Sequence, residues 1–145
     1  MKIIIGCANF GNYYGLRKKN LSVNKIYNIM LLAKKLGIYH YDTAYDYKTS
    51  ESILGKNIDK IYLKKKPLID TKLPKKIKFK KNNTDIEKII LDSKIKLKIK
   101  QINTLYVHDS KQLLQKKGKK IYSELLKLKS KKLIKNIGIS VYTIK

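Results

Sequence analysis

Three short apolar runs of this chain each close on an ionisable residue. Ile38 to Asp42 ends in an aspartate, Pro67 to Lys72 in a lysine, and Ile102 to Val107 runs into His108. A tyrosine, Tyr47, follows Asp42 by five residues. Together the four could reduce a carbonyl. A phenol, with a pKa of about 10, is a poor acid at neutral pH unless a neighbouring cation stabilises its phenolate. Lys72 can supply that cation, and Asp42 can hold the ammonium and balance its charge. His108 can orient a carbonyl by a hydrogen bond while Tyr47 protonates its oxygen and a hydride reaches the carbon. Such chemistry needs all four groups on one rim, which is what the aligned ends of parallel strands provide.

The elements that must position them alternate β-rich runs with amphipathic helices. Ile3 to Ile5, ending at Gly6, reads as a strand buried on both faces. Ser22 occupies an N-cap position, an apolar face follows at Ile26, Ile29, Met30, Ala33 and Leu36, and Gly37 stands just past the end. Ile38 to Asp42 is the second strand. A helix begins near Ser50, with Glu51 in the first turn, where the positive helix end favours it, and with Ile53, Leu54 and Ile58 facing inward. Pro67 to Lys72 is the third strand. Thr84 and Glu87 form a capping box for a third helix with a stripe at Ile86, Ile89, Ile90 and Leu97. The strict alternation from Lys94 to Ile102 could also be read as strand. Ile102 to Val107 is the fourth strand, Gly118 to about Lys129 the fourth helix, with Ile121, Leu125 and Leu128 on one side, and Ile134 to Val141 the fifth strand. Strands alternating with single helices predict parallel pairing and right-handed crossovers. No Gly-x-Gly-x-x-Gly follows the first strand, which argues against a doubly wound dinucleotide fold.

The 145 residues carry 35 lysines and arginines, of which Arg17 is the one arginine, against ten acidic residues, a net charge of +25. Charge of this size could serve phosphate or anionic-membrane contact. Nucleic-acid interfaces draw on arginine for bidentate contacts, and the lysines here are spread over nearly every helix and loop, so nucleic acid is not the expected partner. A hydrophobic content of 43% argues against disorder. Cys7 is the sole cysteine, which excludes an intramolecular disulfide and a thiolate metal cluster. His40 lies inside the second strand with no metal partner at useful spacing, so no metal is expected. No signal-peptide core or membrane-length apolar run occurs, and the chain reads as cytoplasmic, with no membrane partner.

The run Asp42-Thr43-Ala44-Tyr45-Asp46-Tyr47-Lys48-Thr49-Ser50-Glu51, followed by Ile53-Leu54-Gly55, resembles the aldo-keto reductase signature D-T-A-x-x-Y-G-x-S-E-x-x-L-G. Gly6-Cys7-Ala8-Asn9-Phe10-Gly11, Thr71-Lys72, Leu105-Tyr106-Val107-His108-Asp109 and Gly138-Ile139-Ser140-Val141-Tyr142 resemble further motifs of that family, in its order. The resemblance implies an α/β architecture that is part of a (β/α)8 TIM barrel. Residues 1–145 would be a single incomplete barrel domain of five strands and four helices, not closed within the chain, because a whole barrel takes about 250 residues. It implies NADPH-dependent reduction of a small aldehyde, ketone or sugar carbonyl, with Tyr47 as general acid and Asp42, Lys72 and His108 completing a catalytic tetrad. Asp42, Ser140 and Cys7 match cofactor-side positions, Ser140 at the nicotinamide carboxamide. Lys48 stands where the family has glycine, and Val141 where many members have asparagine.

Two structural expectations follow from that resemblance. Much of the cofactor cradle would lie on later strands, and either the chain is a fragment of a barrel or a second chain covers the open edges of its first and fifth strands. Two rival functions are a catalytically silent portion of a reductase and a basic module that binds nucleic acid through its lysines. Taken singly, each site residue also has a bland role. Tyr47 is one of eleven tyrosines, His108 could be a hydrogen-bonded core histidine, and Cys7 a small buried residue. Lys75 to Lys81 reads as a solvated loop that a 2′-phosphate or an acidic substrate could exploit.

Overall fold

The computed structural model describes residues 3–11, 21–77 and 85–141. Five strands, β1 (Ile5–Gly6), β2 (His40–Asp42), β3 (Leu68–Lys72), β4 (Ile102–Val107) and β5 (Ile134–Ile139), pair in parallel in the order of the chain. The connections hold α1 (Val23–Lys35), α2 (Ser50–Ile61), α3 (Ile86–Leu97), a short α4 (Lys111–Leu114) and α5 (Gly118–Ser130). Sequential strand order separates the two α/β architectures. Right-handed crossovers that always step the same way put every helix on one face, as in a barrel, whereas a doubly wound sheet reverses direction and uses both.

The two faces of the sheet are therefore unlike. Tyr41 and Ile69 pack with Ile26, Met30 and Ala33 of α1 and with Leu54 and Ile58 of α2. Leu105 joins Ile86 and Ile90 of α3 and Ile121, Leu125 and Leu128 of α5 in a second cluster. Because side chains alternate along a strand, Asp42, Asp70, Lys72 and Tyr106 fall on the opposite face. The apolar half of each strand builds the core, and the polar half is left for a site.

Local signals account for most element boundaries. The Ser22 hydroxyl accepts the Lys25 amide at 3.3 Å, and Gly37 takes the left-handed φ of +73° that ends α1. Leu36, expected on the inner face, is 67% exposed because it falls on the cap rather than in the helix. β1 is shorter than the Ile3 to Ile5 run; Ile3 and Ile4 are about half exposed. The Lys94 to Ile102 alternation resolves as helix to Leu97, broken by a left-handed Lys98. Thr84 of the expected capping box lies outside the described residues, as do Arg17 and Tyr142, and α3 is entered at Asp85. α4 and a 3-10 turn at Ala8–Phe10 carry no clear periodic signal and were not expected. Among the described residues, no helix is long and apolar enough to cross a membrane.

α2 and α3 meet at Gly55, where an added Cβ would lie 2.0 Å from the Lys96 carbonyl oxygen. Elsewhere in a helix, alanine is favoured over glycine by about 1 kcal/mol. Here Gly55→Ala is expected to reverse that sign and destabilise by roughly 2 kcal/mol through forced separation of the helices. Urea denaturation followed by circular dichroism measures it, and an unchanged or raised midpoint would show that the two helices are not held this close.

Candidate active site

Register brings the polar ends of β2 and β3 together: Asp42 lies beside Asp70, and Lys72 projects from the same face two residues further on. The Lys72 ammonium donates to both carboxylate oxygens of Asp42 at 2.6 Å each and to the Thr43 carbonyl at 2.8 Å. Three acceptors match its three protons. The group is only 8% exposed, so an unpaired charge there would be costly, and the carboxylate neutralises it in place. Two rings flank the ammonium. Tyr47 has its centroid 5.4 Å from Nζ, and Tyr106, the β4 partner of Lys72 in register, has its centroid 5.8 Å away.

Tyr47 sits on a loop held at several points. The Tyr45 amide donates to the Lys72 carbonyl at 3.1 Å, the Tyr47 amide to Ala44 at 3.0 Å, and the Ser50 amide to the Tyr47 carbonyl at 2.9 Å. Lys48, immediately after, has φ of +49°. A side chain there costs about 1 kcal/mol, which explains why glycine suits this position. The Tyr47 ring meets His108 edge-on, with centroids 6.0 Å apart and planes at 86°.

His108 closes β4 and is 2% exposed. Burial, then the charges of Lys75 and Lys72, hold its pKa below the usual imidazole value, with Asp46 opposing. The ring is thus neutral at pH 7. Its Nδ1 is buried without a hydrogen-bond partner, 3.9 Å from the Asp46 carboxylate. Ser140 follows β5, its amide bonded to the Val107 carbonyl at 3.0 Å, and with His108 it lines a cleft of about 340 Å³. Cys7 is elsewhere in character. It is fully buried in the apolar cluster, with Sγ directed at the Ile5 carbonyl, and its amide donates to the Asp42 carbonyl at 2.7 Å. Asp42, Tyr47, Lys72 and His108 are thus gathered on one rim with Ser140 beside them, while the Cys7 thiol points into the core and its burial raises its pKa.

Two polar clusters around the site were not anticipated. On the helix side, the buried Glu51 carboxylate accepts the hydroxyls of Thr71 at 2.8 Å and Ser93 at 3.1 Å. From the sequence Glu51 is an acid in the first turn of a helix, and nothing there ties it to Ser93. On the site side, one layer beneath Lys72, Asp70 accepts His40 Nε2 and Asn103 Nδ2, each at 2.7 Å. Asp70 carries a visible signal, a carboxylate two residues before Lys72 inside an apolar strand.

The sequence model of the aldo/keto reductase family matches residues 2–145. Among solved structures, an aldo-keto reductase from Bacillus halodurans in its holo form is 21% identical with a TM-score of 0.74, covering 96% of this chain and 45% of that one. A glycerol dehydrogenase from Gluconobacter oxydans is 24% identical with a TM-score of 0.70, covering 97% and 44%. An aldo-keto reductase of the silkworm Bombyx mori is 18% identical with a TM-score of 0.72, covering 94% and 43%. At these identities the likeness carries the fold, a barrel of which this sheet forms part. The chain spans about half the length of the structures it matches. No curated protein matches it.

Glu51 offers a test of the helix-side cluster. Burial raises its pKa, and the Thr71 and Ser93 hydroxyls pull it back only in part. The folded chain therefore keeps a proton that the unfolded chain loses above the ordinary glutamate value, and stability falls as pH rises through that window. Glu51→Gln is expected to flatten this decline. Urea midpoints at pH 5 and pH 7 measure it, and a variant retaining the full wild-type decline would place the pH dependence elsewhere.

Proposed function

This chain belongs to the aldo-keto reductase family, and on that premise we propose that it carries the acid–base site of a cytoplasmic, NADPH-dependent reductase of small aldehydes, ketones or sugars. The observation that supports this best is the Lys72 ammonium, neutralised by Asp42 and lying beside the ring of Tyr47. A phenol in that setting can release its proton, because the charge left on its oxygen is met by a cation already fixed in place.

The residues at hand fit one end of a nicotinamide nucleotide. Ser140, on the cleft beside His108, would hold the carboxamide. Asp42 would face the nicotinamide side through the carboxylate that grips Lys72. Cys7 would contribute through its backbone rather than its thiol. When bound, NADPH supplies a hydride to the carbonyl carbon. The chain's own residues do the rest. Neutral His108 orients the carbonyl oxygen, Tyr47 gives up its phenolic proton to that oxygen, and Lys72 stabilises the phenolate until solvent reprotonates it. Asp42 keeps the ammonium from swinging away.

A second reading is a reductase portion that folds but does not turn over, given that the chain spans about half the length of its structural neighbours. One titration separates the two. Saturable NADPH binding followed by NADPH oxidation with an aldehyde panel supports the enzyme, whereas a folded chain that binds no NADPH supports the silent reading. Tyr47→Phe is expected to lower turnover by at least about 100-fold and to leave NADPH affinity within about twofold, since the ring is retained. Unchanged turnover in that variant would remove Tyr47 from the acid role.

A further inference from the structure

The loops after β3 and β4 each carry a lysine three residues beyond the strand-end site residue: Lys75 after Lys72, and Lys111 after His108. Gln112, 8% exposed, donates its side-chain amide to the Lys75 carbonyl and ties the two loops together. Both lysines, with Ser110, line the cleft of about 340 Å³ that contains His108 and Ser140. Two acids stand nearby, and each is turned to backbone. Asp46 accepts the Lys75 amide at 2.8 Å, and Asp109 accepts the Lys111 amide at 3.0 Å. Lys72 is held in a tight ion pair, but neither the Lys75 nor the Lys111 ammonium is paired with a carboxylate among the described residues. The buried His108 Nδ1 at the base of the cleft also has no hydrogen-bond partner.

Resting on the reductase reading, we propose that this cleft selects carbonyl substrates bearing an anionic group, with the carbonyl at Tyr47 and His108 and the anion between Lys75 and Lys111. A carbonyl held at the rim directs the remainder of its molecule outward, past the two loops that Gln112 joins. A neutral substrate brings no counter-charge to the two lysines that line the cleft, whereas an anion supplies one and accepts charge-assisted hydrogen bonds. Lysine suits the task, being a compact charge on a flexible stem with three donors, able to follow an anion over a range of substrate lengths. Solvent access keeps each contact modest.

The probe is 4-formylbenzoate against its neutral methyl ester, with binding to the whole 145-residue chain followed by ligand-observed NMR at low ionic strength. The acid is expected to bind about tenfold more tightly, and Lys75→Gln/Lys111→Gln is expected to reduce that ratio to about twofold while leaving the ester unchanged. Lys64→Gln/Lys65→Gln removes the same charge from a different part of the chain and is expected to keep the full ratio, which controls for the high net charge. Equal affinities, binding of neither compound, or a preference that survives the Lys75/Lys111 variant would overturn the proposal. Loss of the preference on saturation with NADPH would also overturn it, assigning the lysines to the cofactor's phosphates. Turnover is not the readout, so the two readings fail separately. A chain that prefers the acid but never oxidises NADPH sinks the catalytic reading alone. One that oxidises NADPH with an aldehyde but binds acid and ester equally sinks this one alone.

Discussion

An ammonium group almost removed from water must be neutralised where it stands, and much of the geometry around the rim can be traced to that demand at Lys72. Desolvating a single charge costs several kcal/mol, so Asp42 has to present both oxygens at hydrogen-bond distance, which fixes the relative height of β2 and β3. The third proton goes to the Thr43 carbonyl, so the start of the following loop is fixed as well. That loop carries Tyr47, and its position over the ammonium is inherited from the pair rather than set independently. β3 is held from behind too. Thr71, next to Lys72 and pointing the other way, gives its hydroxyl to Glu51. One strand is thus gripped on both faces at adjacent residues.

The contrast between the two faces of the sheet explains how such a polar layer is tolerated. Apolar contacts are collected on the helix side, in clusters that run from α1 to α5. The other side holds a layered arrangement, with the Asp70 cluster below, the Lys72 pair above it, and Tyr47 and His108 at the rim. Each buried charge in these layers has a partner within hydrogen-bond reach. Among the described residues three buried side-chain atoms lack a hydrogen-bond partner, Asn9 Oδ1, Gln112 Oε1 and His108 Nδ1, and His108 is the one of these residues that lines the cleft. At His108 the unmet hydrogen-bonding capacity lies where a ligand in the cleft could meet it.

What could be read from the sequence follows from the range over which each interaction acts. Alternation and helix capping are local, so β4 and the two ends of α1 were placed closely, and the inward residues of α5 were identified one by one. Asp42, Lys72 and His108 could be placed together because strand ends in a parallel sheet share a rim, and Tyr47 because it lies on the loop five residues after Asp42. Partners distant in sequence left no trace. Ser93 reaches Glu51 across 42 positions, and neither residue type nor spacing announces it. Cys7 was matched to a cofactor-side position, but its side chain is turned to the core by the same alternation that sends Asp42 the other way. The short α4 follows from the turn at Asp109 and Ser110, and four residues are too few to establish a period.

The sequential order of the sheet bears also on how the chain acquires this arrangement. Ile5 pairs with Tyr41, Asp70 with Thr104 and Ile102 with Ile134, so each strand docks onto the one that emerged just before it. Among the described strands each pairing joins chain neighbours, and the entropy lost in closing each of these loops stays nearly constant from one step to the next. Such a sheet can be laid down in the direction of synthesis, one strand and helix at a time. The Lys72–Asp42 pair forms when the third strand arrives, and the histidine joins with the fourth. The four side chains at the rim are thus together before the fifth strand is added.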